Sequence, residues 1–120
     1  MVTKKVNSEH ALLKADAEMY EMLYPIIAGL HKEMQELSKK KQDGALNVLK
    51  VRTINKALEK AKNLLTNEPS AEFLELLDEK MLPTNSDAVL IIVQYISAME
   101  GFKIKNSVVE GLLRKWLTKD

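Results

Sequence analysis

The stretch from 87 to 100 restricts the fold more than any other part of the sequence, because it is apolar on nearly every side of a helix. Its apolar residues are Val89, Leu90, Ile91, Ile92, Val93, Ile96 and Met99. A helix without a polar face is typical of the centre of a bundle. The β-branched residues would also suit a strand, but the sequence shows no second strand to pair with it. We therefore predict a helix near 87–100 that is central and buried.

Local signals bound this helix at both ends. Residues 84–87 read Thr-Asn-Ser-Asp, which matches the spacing of an N-terminal capping box. Gly101 follows Glu100, and a glycine directly after the last periodic residue predicts a left-handed helix end. We expect the other helices to pack around an element with these limits.

The first half of the chain carries helical periodicity on both sides of Pro25. Apolar residues recur at three and four residues from 8 to 24 and again from 26 to 37. Proline inside a helix removes a hydrogen-bond donor, but it is favoured in the first turn of a new helix. Residues 8–42 are therefore predicted to form either one kinked helix or two helices.

Three more segments follow the helical pattern. The segment 46–65 keeps a seven-residue seam, formed by Val51, Ile54, Leu58, Ala61 and Leu65. Ser70 suits the N-cap of a short helix that would run to about Met81 and stop at Pro83. The last helix is predicted to open at Ser107, with apolar residues spaced as one face of a helix at Val109, Leu112, Leu113, Trp116 and Leu117.

Composition and length agree with one helical domain. The chain has 120 residues, of which 46% are hydrophobic and only 5% aromatic, so the core must consist mostly of aliphatic side chains. Two domains would leave each half too small to bury a core. The predicted fold class is all-α: a compact bundle of five or six helices in a single domain over 1–120, with 1–7 as a flexible N-terminal tail.

No motif for catalysis, a cofactor or a metal stands out. The chain has no cysteine, four glycines and two histidines, His10 and His31, neither of which belongs to a Glu-x-x-His pair. Glutamates recur along one stripe at Glu68, Glu72, Glu75 and Glu79, which is typical of a solvated helix face. We therefore expect no catalytic residue, no cofactor and no metal. The longest apolar run is too short to cross a bilayer, and the start of the chain is not a secretory signal, so we predict a cytoplasmic protein without a membrane partner.

The charge is unevenly distributed although the net charge is only +1. The segment 39–62 is basic, and Lys50, Arg52, Lys56 and Lys60 could follow a phosphate backbone. No aromatic residue is interleaved among them to stack on bases, and one of the four is an arginine. Nucleic-acid binding through this helix is therefore the alternative function.

Protein binding is the main functional expectation. Met19, Tyr20, Leu23, Tyr24 and Trp116 belong to segments that carry more apolar residues than an outer helix needs, and methionine and aromatic residues are favoured at interfaces. The same side chains would also suit the core of the monomer. We expect a non-enzymatic interaction or regulatory protein of the cell interior, which binds another protein or a second copy of itself as a homodimer.

Overall fold

A computed structural model of the chain describes residues 12–120. Three helices come first, and a two-stranded antiparallel sheet follows them. The elements are α1 (Lys14–Lys40), α2 (Val48–Leu64), a 3₁₀ helix (Ala71–Phe73), α3 (Asn85–Lys105), β1 (Ser107–Glu110) and β2 (Leu113–Trp116). The prediction of an all-α bundle of five or six helices is therefore wrong. The predicted tail at 1–7 lies outside the described residues.

Helix α1 is one helix of 27 residues that continues through Pro25. It packs against both α2 and α3, which touch each other less. One of its faces places five residues in the core: Ala17, Tyr20, Leu23, Ile27 and Met34. The predicted alternative of two helices meeting at Pro25 is wrong. Pro25 is exposed, so its ring meets no packed neighbour, and the buried residues on both sides hold the helix together.

Helix α2 matches its sequence pattern closely. Its N-cap is Asn47, whose side chain accepts a hydrogen bond from the backbone N–H of Lys50 at 2.8 Å. The seven-residue seam is buried throughout: Val51, Ile54, Leu58, Ala61 and Leu65 are each at most 3% exposed. The opposite side is charged, so α2 is an amphipathic helix that covers one side of the core.

Helix α3 begins with the predicted capping box. Thr84 accepts a hydrogen bond from the N–H of Asp87 at 3.1 Å, and its own N–H donates to the Asp87 carboxylate at 3.2 Å. The helix does not end at Gly101 but continues to Lys105. The extra turn brings Phe102 into the core at 6% exposure, and this burial outweighs the roughly 1 kcal/mol that a glycine costs inside a helix.

The prediction that the helix near 87–100 is central and buried is also wrong. One face is in the core, with Ala88, Ile92, Tyr95, Ala98, Met99 and Phe102. The other face is open, and Leu90 is 61% exposed there. Because the expected surrounding helices at 70–81 and 107–117 do not form, α3 keeps a solvent-facing side.

The expected fourth helix does not form: the 3₁₀ helix is followed by an irregular segment at 74–77, which is bonded to α2 and α3. The Asn55 side chain of α2 bonds both the N–H and the C=O of Leu77, at 2.8 and 2.9 Å. The Tyr95 hydroxyl of α3 donates to the C=O of Glu75 at 2.7 Å. These bonds replace the backbone partners that a helix would supply, and Leu74 and Leu77 are buried without it.

The predicted last helix is a β-hairpin. Its turn is Gly111-Leu112, and Gly111 has φ +66°, the conformation that favours glycine at the first turn position of a hairpin. Ser107 does not cap a helix; its hydroxyl donates to the C=O of Lys103 instead. Val108 and Val109 favour a strand, and a glycine in the middle would weaken a helix. The hairpin also places Trp116 against the helices.

Candidate functional site

The residues predicted as a partner interface lie mostly inside the molecule. Tyr20 is 3% exposed and Leu23 is 1% exposed, whereas Met19, Tyr24 and Trp116 are half-buried against the core. The structure brings Tyr20, Tyr24 and Trp116 together and leaves Leu23 in the core between the helices. These side chains therefore pack chiefly within the monomer, and their role in binding a partner stays a prediction.

Tyr20 is the centre of an aromatic cluster that joins α1, α3 and β2. Its ring stacks on Tyr24 at 5.7 Å and on Phe102 at 5.8 Å between centroids. Trp116 meets the ring of Tyr20 edge-on, at 5.1 Å and 67°. Aromatic pairs in such geometries stabilise by roughly 0.5–1.5 kcal/mol beyond their buried area. The cluster therefore fixes the hairpin onto the two long helices.

A cation from the chain itself lies beside this cluster. The Lys103 ammonium is 5.7 Å from the centre of the Tyr20 ring and 5.6 Å from that of Trp116. The Glu21 carboxylate lies 3.3 Å from the ammonium and accepts a hydrogen bond from Trp116 Nε1 at 2.8 Å. Two aromatic walls and a carboxylate thus form a cation site whose occupant is Lys103.

The groups whose pKa the structure shifts do not suit catalysis at neutral pH. Burial, and next to it the neighbouring Tyr24, raises the pKa of Tyr20. Burial also raises the pKa of Tyr95 to about 12. The backbone N–H groups of Lys80 and Met81 lower the pKa of the exposed Asp78. A general acid or base needs a pKa near the working pH, and these shifts lead away from it.

A polar cleft of about 490 Å³ lies between the ends of α2 and α3. Asn63, Asn67 and Asn106 line it, and the Glu68 carboxylate binds the Lys105 ammonium there at 2.8 Å. Asp16 also lines the cleft, and its carboxylate accepts a hydrogen bond from the backbone N–H of Leu13 at 3.1 Å. Within residues 12–120, no group of three or more histidine, aspartate or glutamate side chains is placed to hold a metal ion.

The basic residues of α2 are all exposed but do not form a uniform positive surface. Arg52 is paired with Glu79, with 3.0 Å between Nε and Oε1. Lys56 and Lys60 lie one turn apart, and Glu59 sits beside them on the same exposed side. Lys50 lies toward α1, near Glu33. Mixed charge weakens the summed attraction for phosphates, and nucleic-acid binding stays an untested alternative.

The most unusual surface of the described chain is the solvent-facing side of α3. We call it the outer α3 face, and it consists of Leu90, Gln94, Ser97, Gly101 and Ile104. Leu90 and Ile104 are 61% and 65% exposed, and no residue from 88 to 99 is charged. The sequence signal for this surface is the all-round apolarity of the helix, from which we predicted burial.

The hairpin that follows α3 along the chain also exposes apolar residues. Val109 is 65% exposed, Leu113 is 76% exposed, and Leu112 is fully exposed at the turn. Apolar residues on both faces of the hairpin are thus exposed near its turn. Apolar side chains in such number at one end of a small protein are typical of a binding surface.

No helix within the described part of the chain is long and apolar enough to cross a membrane. Comparison of the chain with protein-family models, curated proteins and solved structures gives no match. The support for the outer α3 face is therefore its own geometry.

Proposed function

We propose that the chain is a non-enzymatic protein-interaction protein of the cell interior, and that it binds its partner through the outer α3 face. The observation that carries the proposal is an exposed helix face without a charged residue from 88 to 99.

The driving force for binding would be the removal of apolar side chains from water. An exposed leucine or isoleucine gains roughly 1.5–3 kcal/mol when a partner covers it fully. On the outer α3 face, Leu90 and Ile104 stand at opposite ends and Gln94 and Ser97 lie between them. Covering this face desolvates no charge between 88 and 99, and it requires hydrogen-bond partners for the Gln94 amide and the Ser97 hydroxyl. Covering it is therefore favourable for a partner with an apolar surface of similar length.

The edges of the face resemble the rim of an interface. Asp87 and Glu100 are exposed at its borders, and Lys105 lies in its last turn. Protein interfaces have a core depleted of charge and a polar, solvated rim. The hairpin tip adds apolar surface at one end, where Leu113 is 76% exposed.

Site-specific photocrosslinking in cells tests this function. A photoreactive amino acid in place of Gln94 reports on the outer α3 face, and the same amino acid in place of Lys56 reports on the exposed side of α2. We expect protein adducts at Gln94 that disappear when Leu90→Lys is added, and few adducts at Lys56. Equal adduct yields at the two positions, or none at Gln94, would contradict the proposal.

A further inference from the structure

We infer that the occupant of the outer α3 face is a second copy of this chain, with the two α3 helices packed antiparallel about a two-fold axis near Ser97. The inference rests on the proposed function and adds the identity and orientation of the partner. A two-fold dimer uses the same patch on both copies, so the patch must be complementary to itself.

The spacing of the face meets this requirement. Leu90 lies seven residues before Ser97, and Ile104 lies seven residues after it. In an antiparallel pair centred on Ser97, Leu90 of each copy therefore lies level with Ile104 of the other. Two large apolar contacts then close the ends of the pair. Ser97 and Gly101 lie between them, and small residues allow two helices to approach closely.

The charges favour the antiparallel orientation over the parallel one. Asp87 and Lys105 are 18 residues apart, which is five full helical turns, so both lie on the same flank of α3. Asp87 is ten residues before Ser97 and Lys105 is eight residues after it. In the antiparallel pair the Asp87 carboxylate of one copy lies about 3 Å along the axis from Lys105 of the other. The Lys105 ammonium also binds Glu68 of its own copy at 2.8 Å, and its side chain is 54% exposed. A parallel two-fold pair would place the two copies of each residue at the same level on opposite flanks, so Asp87 would not meet Lys105.

The surfaces beyond the two ends of α3 also suit this orientation. Met81 and Leu82, just before the helix, are 79% and 37% exposed, and Val108, just after it, is 41% exposed. Antiparallel packing brings the apolar hairpin of one copy to the apolar N-terminal end of the other. A pair of helices alone covers less than the roughly 800 Å² per partner of a standard interface, and these ends supply the additional area.

Cysteine crosslinking tests both the contact and its direction, because the chain contains no cysteine of its own. A disulfide needs Cα atoms within about 7 Å. We expect Ser97→Cys to form a disulfide-linked dimer under mild oxidation. Leu90→Cys alone and Ile104→Cys alone should remain uncrosslinked, because their own copies would be about 21 Å apart along the axis. A mixture of these two variants should crosslink.

Lys56→Cys on the exposed side of α2 is the matched control, and it should give only the yield of random collisions. Circular dichroism of each variant confirms that it keeps the helical content of the original chain. Efficient crosslinking of Leu90→Cys with itself would show a parallel pair and overturn the inference. Crosslinking of Ser97→Cys no better than Lys56→Cys would overturn it as well, and adducts to another protein at Gln94 would then leave the proposed function standing.

Discussion

Helices α2 and α3 contribute similarly to the core but differ in the surface that they present outward. Both bury a continuous apolar face, with Leu58 of α2 and Ile92 of α3 fully buried. The outward side of α2 carries charged residues such as Lys56 and Glu59, as expected for a helix in water. The outward side of α3 carries Leu90 and no charge between 88 and 99. The outward side of α2 also exposes an apolar residue, Leu49 at 74%, so the two helices differ in their outward charge. This difference in charge is what supports the contact that we propose at α3.

The largest expected effects concern the inner faces, where the two helices should behave alike. We expect Leu58→Ala and Ile92→Ala each to lower the free energy of unfolding by about 2–5 kcal/mol, because each leaves a cavity in a closed core. Leu90→Ala on the outer α3 face should cost less than about 0.5 kcal/mol in dilute protein. Urea unfolding at two protein concentrations measures all three.

Unfolding at two protein concentrations also distinguishes the outer α3 face from the inner faces. A contact between copies stabilises more as the protein concentration rises. The loss in free energy of unfolding caused by Leu90→Ala should therefore be larger at the higher concentration. The losses caused by Leu58→Ala and Ile92→Ala should be the same at both concentrations, because neither residue lies in the contact between copies. A loss of several kcal/mol for Leu90→Ala in dilute protein would show that the outer α3 face packs within the monomer.

The next effect concerns Tyr95, the polar group on the inner face of α3. Its hydroxyl donates to the C=O of Glu75 at 2.7 Å, so Tyr95→Phe should cost about 1–3 kcal/mol at neutral pH by leaving a carbonyl without its partner. Asn55 serves the same segment from α2, with two bonds to Leu77. Asn55→Ala should cost at least as much, and chemical unfolding at pH 7 compares the two.

Tyr95 also gives a pH dependence with a defined sign. Burial raises its pKa in the folded chain to about 12, above the ordinary value of 10.0. The folded state thus holds the proton more tightly, and the resulting stability is complete below pH 10 and lost as the pH rises toward 12. Over this range the loss from Tyr95 should be about 1.4 kcal/mol per pH unit. The free energy of unfolding of Tyr95→Phe should fall less steeply with rising pH than that of the original chain. An unchanged slope would contradict the raised pKa of Tyr95.

A smaller effect is expected at the turn of the hairpin. Gly111 has φ +66°, so Gly111→Ala should destabilise the hairpin by about 1 kcal/mol. The sole tryptophan, Trp116, lies on β2 and packs on Tyr20, so its fluorescence reports whether the hairpin is docked. If 107–117 were a helix, as its periodicity suggested, the substitution would stabilise it instead.

The smallest expected effect is on nucleic-acid binding by the outward side of α2. We expect no binding of DNA or RNA at low salt, and no change on replacing Lys56 and Lys60 with glutamate. The reason is that Glu59 interrupts the lysines and Glu79 pairs with Arg52. An affinity that falls steeply with salt and is lost in the double variant would favour the alternative function instead.

Sequence periodicity predicted the elements whose contacts are regular along one helix. The seam of α2 and the capping box at Thr84 and Asp87 were both predicted correctly, because each depends on residues three to seven positions apart. The hairpin was missed because Leu112 and Leu113 fit a helix face as well as a strand. What decided between them was the turn conformation of Gly111 and the contact of Trp116 with Tyr20, 96 positions away along the chain.

The candidate surface was likewise only half predictable. The all-round apolarity of 87–100 was evident, but its interpretation depended on how many helices the rest of the chain forms. The non-helical segment 74–77 is held in place by hydrogen bonds from Asn55 and Tyr95, two contacts that no local pattern reveals. Once that segment and the hairpin are not helices, an apolar helix of 21 residues has one face left uncovered.

The most direct test of the account is the molar mass of the protein in solution, measured by light scattering across a range of concentrations. The chain has a mass of 13.6 kDa, so the account predicts a rise toward twice that value with increasing concentration, and a constant 13.6 kDa for Leu90→Lys at concentrations where the original chain is paired. A single-chain mass for the original protein at every concentration would contradict pairing through the outer α3 face. A doubled mass that Leu90→Lys leaves unchanged would place the contact elsewhere.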